Sequence, residues 1–156
     1  MRVLYVNKTR ILARRAGFTL LETLVVVILL GIVTSFALPA FERSANRSRA
    51  DRAANVVMND LRNAFSLAER QRKPIRIAIN TAALTITITD RATSTVLVRR
   101  DLGASSPFRL SNMTSSRTRV DVYPNGLAEA ALNIGLTLGI NARTISMTRA
   151  GQVRMN

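Results

Sequence analysis

Cysteine and histidine are both missing from the 156 residues, and lysine nearly so, with only Lys8 and Lys73. Without cysteine there is no disulfide, no thiolate nucleophile and no lipoprotein-type signal; without histidine there is no zinc finger and no imidazole acid–base chemistry. Acids are scarce as well, 9 against 23 basic residues, for a formal charge of +14. Aromatics make up only 4% of the chain, and none but Phe108, beside Arg109, sits close enough to the later arginines to suggest base stacking. A serine hydrolase would need lysine or a carboxylate as its base. Lys73 is the only lysine beyond residue 17, and Ser105, Ser106, Ser115 and Ser116 lie in loop-like sequence without a nucleophile elbow. Asp51, Asp60 and Glu69 are spaced as solvated helix charges rather than as a metal set, and there is no glycine-rich phosphate loop. These absences predict a protein that is not an enzyme and needs no cofactor, metal or small-molecule substrate.

What is present begins with a basic, then apolar, N-terminus. Arg2, Lys8, Arg10, Arg14 and Arg15 precede a run, Thr23 to Ala40, of 18 residues without a charge. That length suffices to enter a bilayer as a helix. The basic residues on its N-terminal side orient it with the N-terminus in the cytoplasm and everything after Phe41 across the membrane. Small residues at Thr34, Ser35 and Ala37 could mark a secretory cleavage site, but the run is long and continues into a helical pattern. Glu22 is the only charge between Arg15 and Glu42. A carboxylate costs roughly 2.5–3.5 kcal/mol at a membrane centre and less toward a helix end, so it calls for a partner.

From Phe41 to about Arg72 the pattern becomes that of an amphipathic helix. Ala50, Ala53, Ala54, Val57, Met58, Leu61, Ala64, Phe65 and Ala68 recur at steps of three and four, with charges in the gaps. Gly31 and Pro39 are weak points, and Pro74 ends the helix. The period then changes to two through Ile75, Ile77 and Ile79, then Leu84, Ile86 and Ile88, then Val96 and Val98, then Val120 and Val122. Leu132, Ile134, Leu136, Leu138 and Ile140 follow, and Ile145, Met147, Val153 and Met155 close the series. Such alternation predicts half-buried antiparallel strands. Asn80-Thr81, Asp90-Arg91, Asn125-Gly126 and Asn141 mark turns, and Asp101 to Arg119 reads as a Ser- and Arg-rich surface loop. Gly135 and Gly139 suggest bulges or close backbone approach.

The stretch Arg14-Arg15-Ala16-Gly17-Phe18-Thr19-Leu20-Leu21-Glu22 closely resembles the class III signal of type IV pilins and type II secretion pseudopilins. The resemblance implies a prepilin peptidase that cuts between Gly17 and Phe18 and methylates the new amine. Counting from Phe18, Glu22 is the fifth residue and Pro39 the twenty-second, where that family carries its glutamate and often a proline. It also implies an assembly role: Glu22 of one subunit can meet the Phe18 amine of its neighbour, restoring much of the cost of a charge in lipid. The competing reading is an acid that interacts with its own helix dipole and amine. The C-terminal half is similar to the GspH/FimT type through Tyr123-Pro124-Asn125-Gly126 and Gly151-Gln152-Val153-Arg154.

The expected fold is therefore α+β and pilin-like, a long N-terminal helix packed on an antiparallel β-sheet. Its parts would be a cleaved leader (1–17), a membrane and assembly segment (18–40), an amphipathic helix (41–73) and a sheet region (74–156). The expected function is that of a structural minor pseudopilin of a secretion pseudopilus, held in the inner-membrane lipid until it joins other pseudopilins or pilins. The alternative is a FimT-like minor pilin that binds DNA for uptake. Beyond residue 17, 18 basic residues still face 9 acidic ones, which is either an Arg-rich solvated surface or a footprint for an anionic partner such as DNA or lipid headgroups. For DNA the candidates are Arg143, Arg149 and Arg154, with Arg99-Arg100 or Arg109, Arg117 and Arg119 as other clusters. The family tail carries two arginines; here Gln152 takes the first position, a loss of roughly 0.9 in salt slope.

Overall fold

The structure, a computed structural model, describes residues 17–155, leaving aside the side chain of Ala37. The leader residues Arg2, Lys8, Arg10, Arg14 and Arg15 lie outside the described residues. The chain divides into two compact units, Met1–Pro39 and Ala40–Asn156. One helix, α1 (Leu20–Gln71), contributes to both, and it continues through Gly31 and Pro39.

In the first unit α1 starts on a threonine cap. The Thr19 hydroxyl accepts the Glu22 N–H at 3.2 Å, the Thr-x-x-Glu spacing that satisfies an orphan donor of the first turn. Inside the apolar run the hydroxyls of Thr23, Thr34 and Ser35 donate to the carbonyls of Leu20, Leu30 and Gly31 at 2.9, 2.7 and 2.9 Å. Each hydroxyl is thereby satisfied within its own helix, as a nonaqueous surrounding demands. Leu20, Val27, Leu30, Val33, Phe36 and Leu38 are all exposed, so this part of the helix is apolar on every side.

In the second unit α1 presents a stripe of small and medium residues that is fully buried: Ala50, Ala53, Ala54, Val57, Leu61, Ala64 and Ala68. The alanines let neighbouring backbone come close, and Leu61 and Phe65 fill the remaining depth. Eight strands follow: β1 (Ile75–Asn80), β2 (Thr85–Asp90), β3 (Val96–Asp101), β4 (Asn112–Ser115), β5 (Arg119–Val122), β6 (Leu132–Leu138), β7 (Asn141–Met147) and β8 (Val153–Met155). Period-two burial is clear in β1, β2 and β6. Their inward residues meet across the ladders, Ile77 opposite both Ile88 and Val120, and Ile134 opposite Ile145.

Instead of one sheet there are two, each four-stranded and antiparallel, ordered β3-β2-β1-β5 and β4-β6-β7-β8. The chain changes sheets between β4 and β5 in the three residues Ser116, Arg117 and Thr118. Ser116 is pinned to the second sheet, its N–H donating to the Asn133 carbonyl at 2.9 Å, while the Thr118 carbonyl accepts the Ile79 N–H of the first at 2.7 Å. The stretch from Asp101 to Arg119 is consequently not a surface loop. It contains β4 and buries Leu102, Leu110 and Met113, with the buried Ser106 hydroxyl bonded to the Gly103 carbonyl at 2.7 Å. Leu102, Ala104, Phe108, Leu110 and Met113 are spread too unevenly over a polar stretch to show a period, which hides the strand from sequence. Ile140 also departs from the expected alternation. It stands 88% exposed at the tip of the β6–β7 hairpin, beside Gly139 at φ +59°, and Asn141 already belongs to β7. Gly135 does mark a close approach, because a β-carbon there would run into the Thr114 hydroxyl of β4.

Candidate functional site

The residues expected to serve processing and assembly lie at the start of the described residues. Gly17 has no heavy atom within 4 Å of the position a β-carbon would take, and Phe18 is 77% exposed. Both precede the helix, so the Gly17–Phe18 bond is in non-helical chain. Glu22 stands in the first turn of α1, its N–H on the Thr19 cap and its side chain exposed. A negative charge there interacts favourably with the helix N-terminus. Sequence reasoning counts Thr19 in the motif without giving it the cap, although Thr-x-x-Glu before an apolar run signals one. Pro39 lies inside α1, where it offers no N–H to the preceding turn.

The three C-terminal arginines are not brought together. Arg143 shares its strand face with the buried Ile145 and Met147, and its Nε donates to Asp51 Oδ1 of α1 at 2.5 Å. It fastens β7 to the helix. Arg154 stands opposite Ser146, on the other face of the same sheet, and is exposed. Arg149 occupies the turn between β7 and β8, its carbonyl accepting the Ala128 N–H at 2.8 Å. Gln152 belongs to that turn, where its N–H donates to the Thr148 hydroxyl at 3.2 Å.

Other charges are structural too, among them Asp60, one of the helix acids expected to be solvated. Asp60 is buried and takes both Nε and Nη2 of Arg100, at 2.8 and 3.0 Å, which joins α1 to β3. The pairing raises the Arg100 guanidinium above its usual range against the opposing effect of burial. Asp121 is clamped by Arg76 at 2.8 and 2.9 Å and by Arg91 at 3.1 Å. The Arg76 hydrogen bonds hold its carboxyl below the usual range; burial opposes them, and the charges of Arg76, Arg91 and Arg119 assist. Lys73 stands 3.8 Å from Asp90, whose carboxyl is lowered chiefly by the N–H groups of Thr93 and Ala92. Of the other arginine clusters, Arg99, Arg109, Arg117 and Arg119 are exposed. Arg117 and Arg119 line a shallow polar groove with Ser115, Ser116, Thr118 and Glu129.

A family profile described as the prokaryotic N-terminal methylation motif matches residues 12–38. The fold is that of the type IV minor pilin FimU of Pseudomonas aeruginosa, in two crystal forms. One aligns at 18% identity over 68% of this chain and 91% of FimU, with a TM-score of 0.55. The other aligns at 19% identity over 70% and 90%, with a TM-score of 0.58. The fold is type IV pilin-like. The minor pseudopilin EpsH from the type 2 secretion system of Vibrio cholerae shares the fold at 12% identity, over 69% of this pilin-like chain and 96% of EpsH, with a TM-score of 0.54. No curated protein sequence matches. The methylation motif implies processing by a prepilin peptidase and assembly into a pilin or pseudopilin filament. With the apolar part of α1, it fits a single-pass anchor in the inner membrane.

Proposed function

We propose that this pilin-like chain is a structural minor pseudopilin of a type II secretion system, cut after Gly17, held in the inner membrane by residues 18–40 and drawn from there into a pseudopilus. The observation that carries the reading is Glu22, a carboxylate in the first turn of a helix whose N-terminal part is apolar on every side, four residues from the amine that cleavage at Phe18 would create. In a filament the amine of a neighbouring subunit neutralises that charge, and the pair fixes the axial step between subunits. Likeness to EpsH supports the secretion reading and likeness to FimU supports a pilus. Against a DNA-handling pilin stand Gln152 and the commitment of Arg143 to Asp51. Deleting the protein in its own host and following protein secretion and DNA uptake side by side tests the choice. Lost secretion with normal uptake is expected; normal secretion with lost uptake would overturn the reading in favour of the pilus.

A DNA-binding reading keeps one observation in its favour, the exposure of Arg149 and Arg154. Residues 45–156 titrated with duplex DNA at several salt concentrations should bind weakly, with no change in the Arg149→Ala/Arg154→Ala variant. Tight binding whose salt slope falls by about 2 in that variant would establish it instead.

A further inference from the structure

Four arginines follow the apolar run closely, Arg43, Arg47, Arg49 and Arg52, against two acids, Glu42 and Asp51. One of the acids is already taken, since Asp51 accepts Arg143 from β7. Arg43, Arg47 and Arg52 are exposed, and Arg49 Nη1 donates to Asn46 Oδ1 at 3.2 Å. Among the described residues none of the four reaches a carboxylate within salt-bridge distance. A concentrated positive charge thus stands on the helix just past the apolar run, while an acid that could have quenched part of it is used elsewhere.

Its position works against membrane orientation. Arginines flanking the exported end of a spanning helix oppose the positive-inside bias, and here four of them nearly balance the five basic residues of the leader. Once the leader is cut off, the cytoplasmic flank keeps only the new amine. A charge group that weakens orientation and is left unpaired by its own domain calls for an anionic partner at that depth.

The geometry supplies one. At a rise of 1.5 Å per residue, Arg43 and Arg47 lie about 4.5 and 10 Å beyond Ala40 along α1, Arg49 about 13 Å and Arg52 about 18 Å. The headgroup layer occupies roughly the first 5–7 Å outside the hydrocarbon. Helical side chains lean toward the N-terminus, here toward the membrane, and arginine extends its stem to place the guanidinium at the interface. Its planar fork suits phosphodiester oxygens. We propose that Arg43, Arg47 and Arg49 form a basic collar that binds the phosphate of anionic phospholipid headgroups in the extracytoplasmic leaflet, tying the unassembled subunit to the membrane surface. The proposal rests on the membrane reading of residues 18–40, and its test separates the two.

The absence of native cysteine makes Ser48→Cys, exposed and flanked by Arg47 and Arg49, a unique labelling site. Full-length protein carrying a donor dye there is placed in phosphatidylcholine vesicles containing a trace of acyl-labelled phosphatidylglycerol or acyl-labelled phosphatidylcholine. Energy transfer to phosphatidylglycerol should exceed transfer to phosphatidylcholine severalfold, with each arginine near an anionic surface contributing roughly fivefold at most. The Arg43→Gln/Arg47→Gln/Arg49→Gln variant should lose the preference, and Arg52→Gln, beyond the headgroup layer, should keep it. Flotation of the vesicles reports anchoring independently: a chain that fails to float refutes the membrane reading itself. A chain that floats but transfers equally to both lipids overturns the collar, as does a loss in Arg52→Gln as large as in the triple variant. An unchanged lipid preference in the triple variant, together with lost cross-linking to filament neighbours, would overturn it in favour of acidic groups on an adjacent subunit.

Discussion

An Arg100→Ala substitution should destabilise the sheet-bearing unit by about 2–3 kcal/mol, more than Asp60→Ala at the other end of the same ion pair. The Asp60 side chain is 11% exposed and that of Arg100 is 35% exposed. Removing the arginine strands a carboxylate against the helix–sheet interface, a class of change that costs roughly 3–5 kcal/mol when burial is complete. The partial exposure of Arg100 lets water return to the site, which trims the loss. Removing the aspartate strands only a guanidinium that can turn outward, so the cost falls to about 1–2 kcal/mol. The double variant should lose less than the sum of the singles, with a coupling of about 1–2 kcal/mol from the two parallel hydrogen bonds. Residues 45–156 contain the whole buried core, which runs from Ala50 to Val153, so urea unfolding of that fragment, followed by far-ultraviolet circular dichroism, is a sufficient assay. Equal losses in the two single variants, or losses under 0.5 kcal/mol, would refute the argument that burial of the acid sets the scale.

Glu22→Ala should leave membrane insertion intact, since it removes a charge from an apolar helix, while incorporation into filaments falls; immunoblots of membrane and sheared-filament fractions read both, and unchanged incorporation would remove the amine pairing. Gly17→Leu should leave the leader attached, which mass spectrometry detects as a missing N-methylated Phe18 terminus. For Asp121 the folded pKa is depressed, so its contribution is present above the unfolded value of about 3.9 and is lost as pH falls through the lower folded value. Urea midpoints measured from pH 6 down to pH 2 should therefore fall less steeply below pH 4 in Asp121→Asn than in the parent. Gly151→Ala should cost about 1–3 kcal/mol in the same assay, because φ is +79° and a β-carbon would sit 3.2 Å from the Phe65 ring.

The parts of this protein legible in its sequence are those written in a local period. An uncharged run, alanines at three- and four-residue steps and isoleucines at every second residue each declare their element without reference to anything distant. The partition of the strands into two sheets is not local, because it depends on whether β4 and β5, three residues apart, pair with β6 or with β1. The ion pairs are still less visible, with partners 40, 45 and 92 residues apart for Asp60, Asp121 and Asp51. The place of Arg143 is partly legible: it steps by two to Ile145 and Met147, so strand parity alone puts it on the face that meets α1, where it is half-buried and paired with Asp51. That parity changes how the surplus of charge is read. Among the described residues Lys73, Arg76, Arg91, Arg100 and Arg143 reach carboxylates, five of the 18 basic residues beyond residue 17, and the four arginines hold helix, strands and turns to one another. Net charge counts all 18 alike, whereas an anionic partner meets only those the fold has left outside. Among them, Arg43 and Arg47, followed by the half-buried Arg49, share one helix next to the apolar run, while Arg149 and Arg154 occupy a turn and a strand at the far end of the chain. The first group is spaced for a surface that the apolar run must already meet, which is why lipid phosphate, more than DNA, is the partner this arrangement of arginines favours.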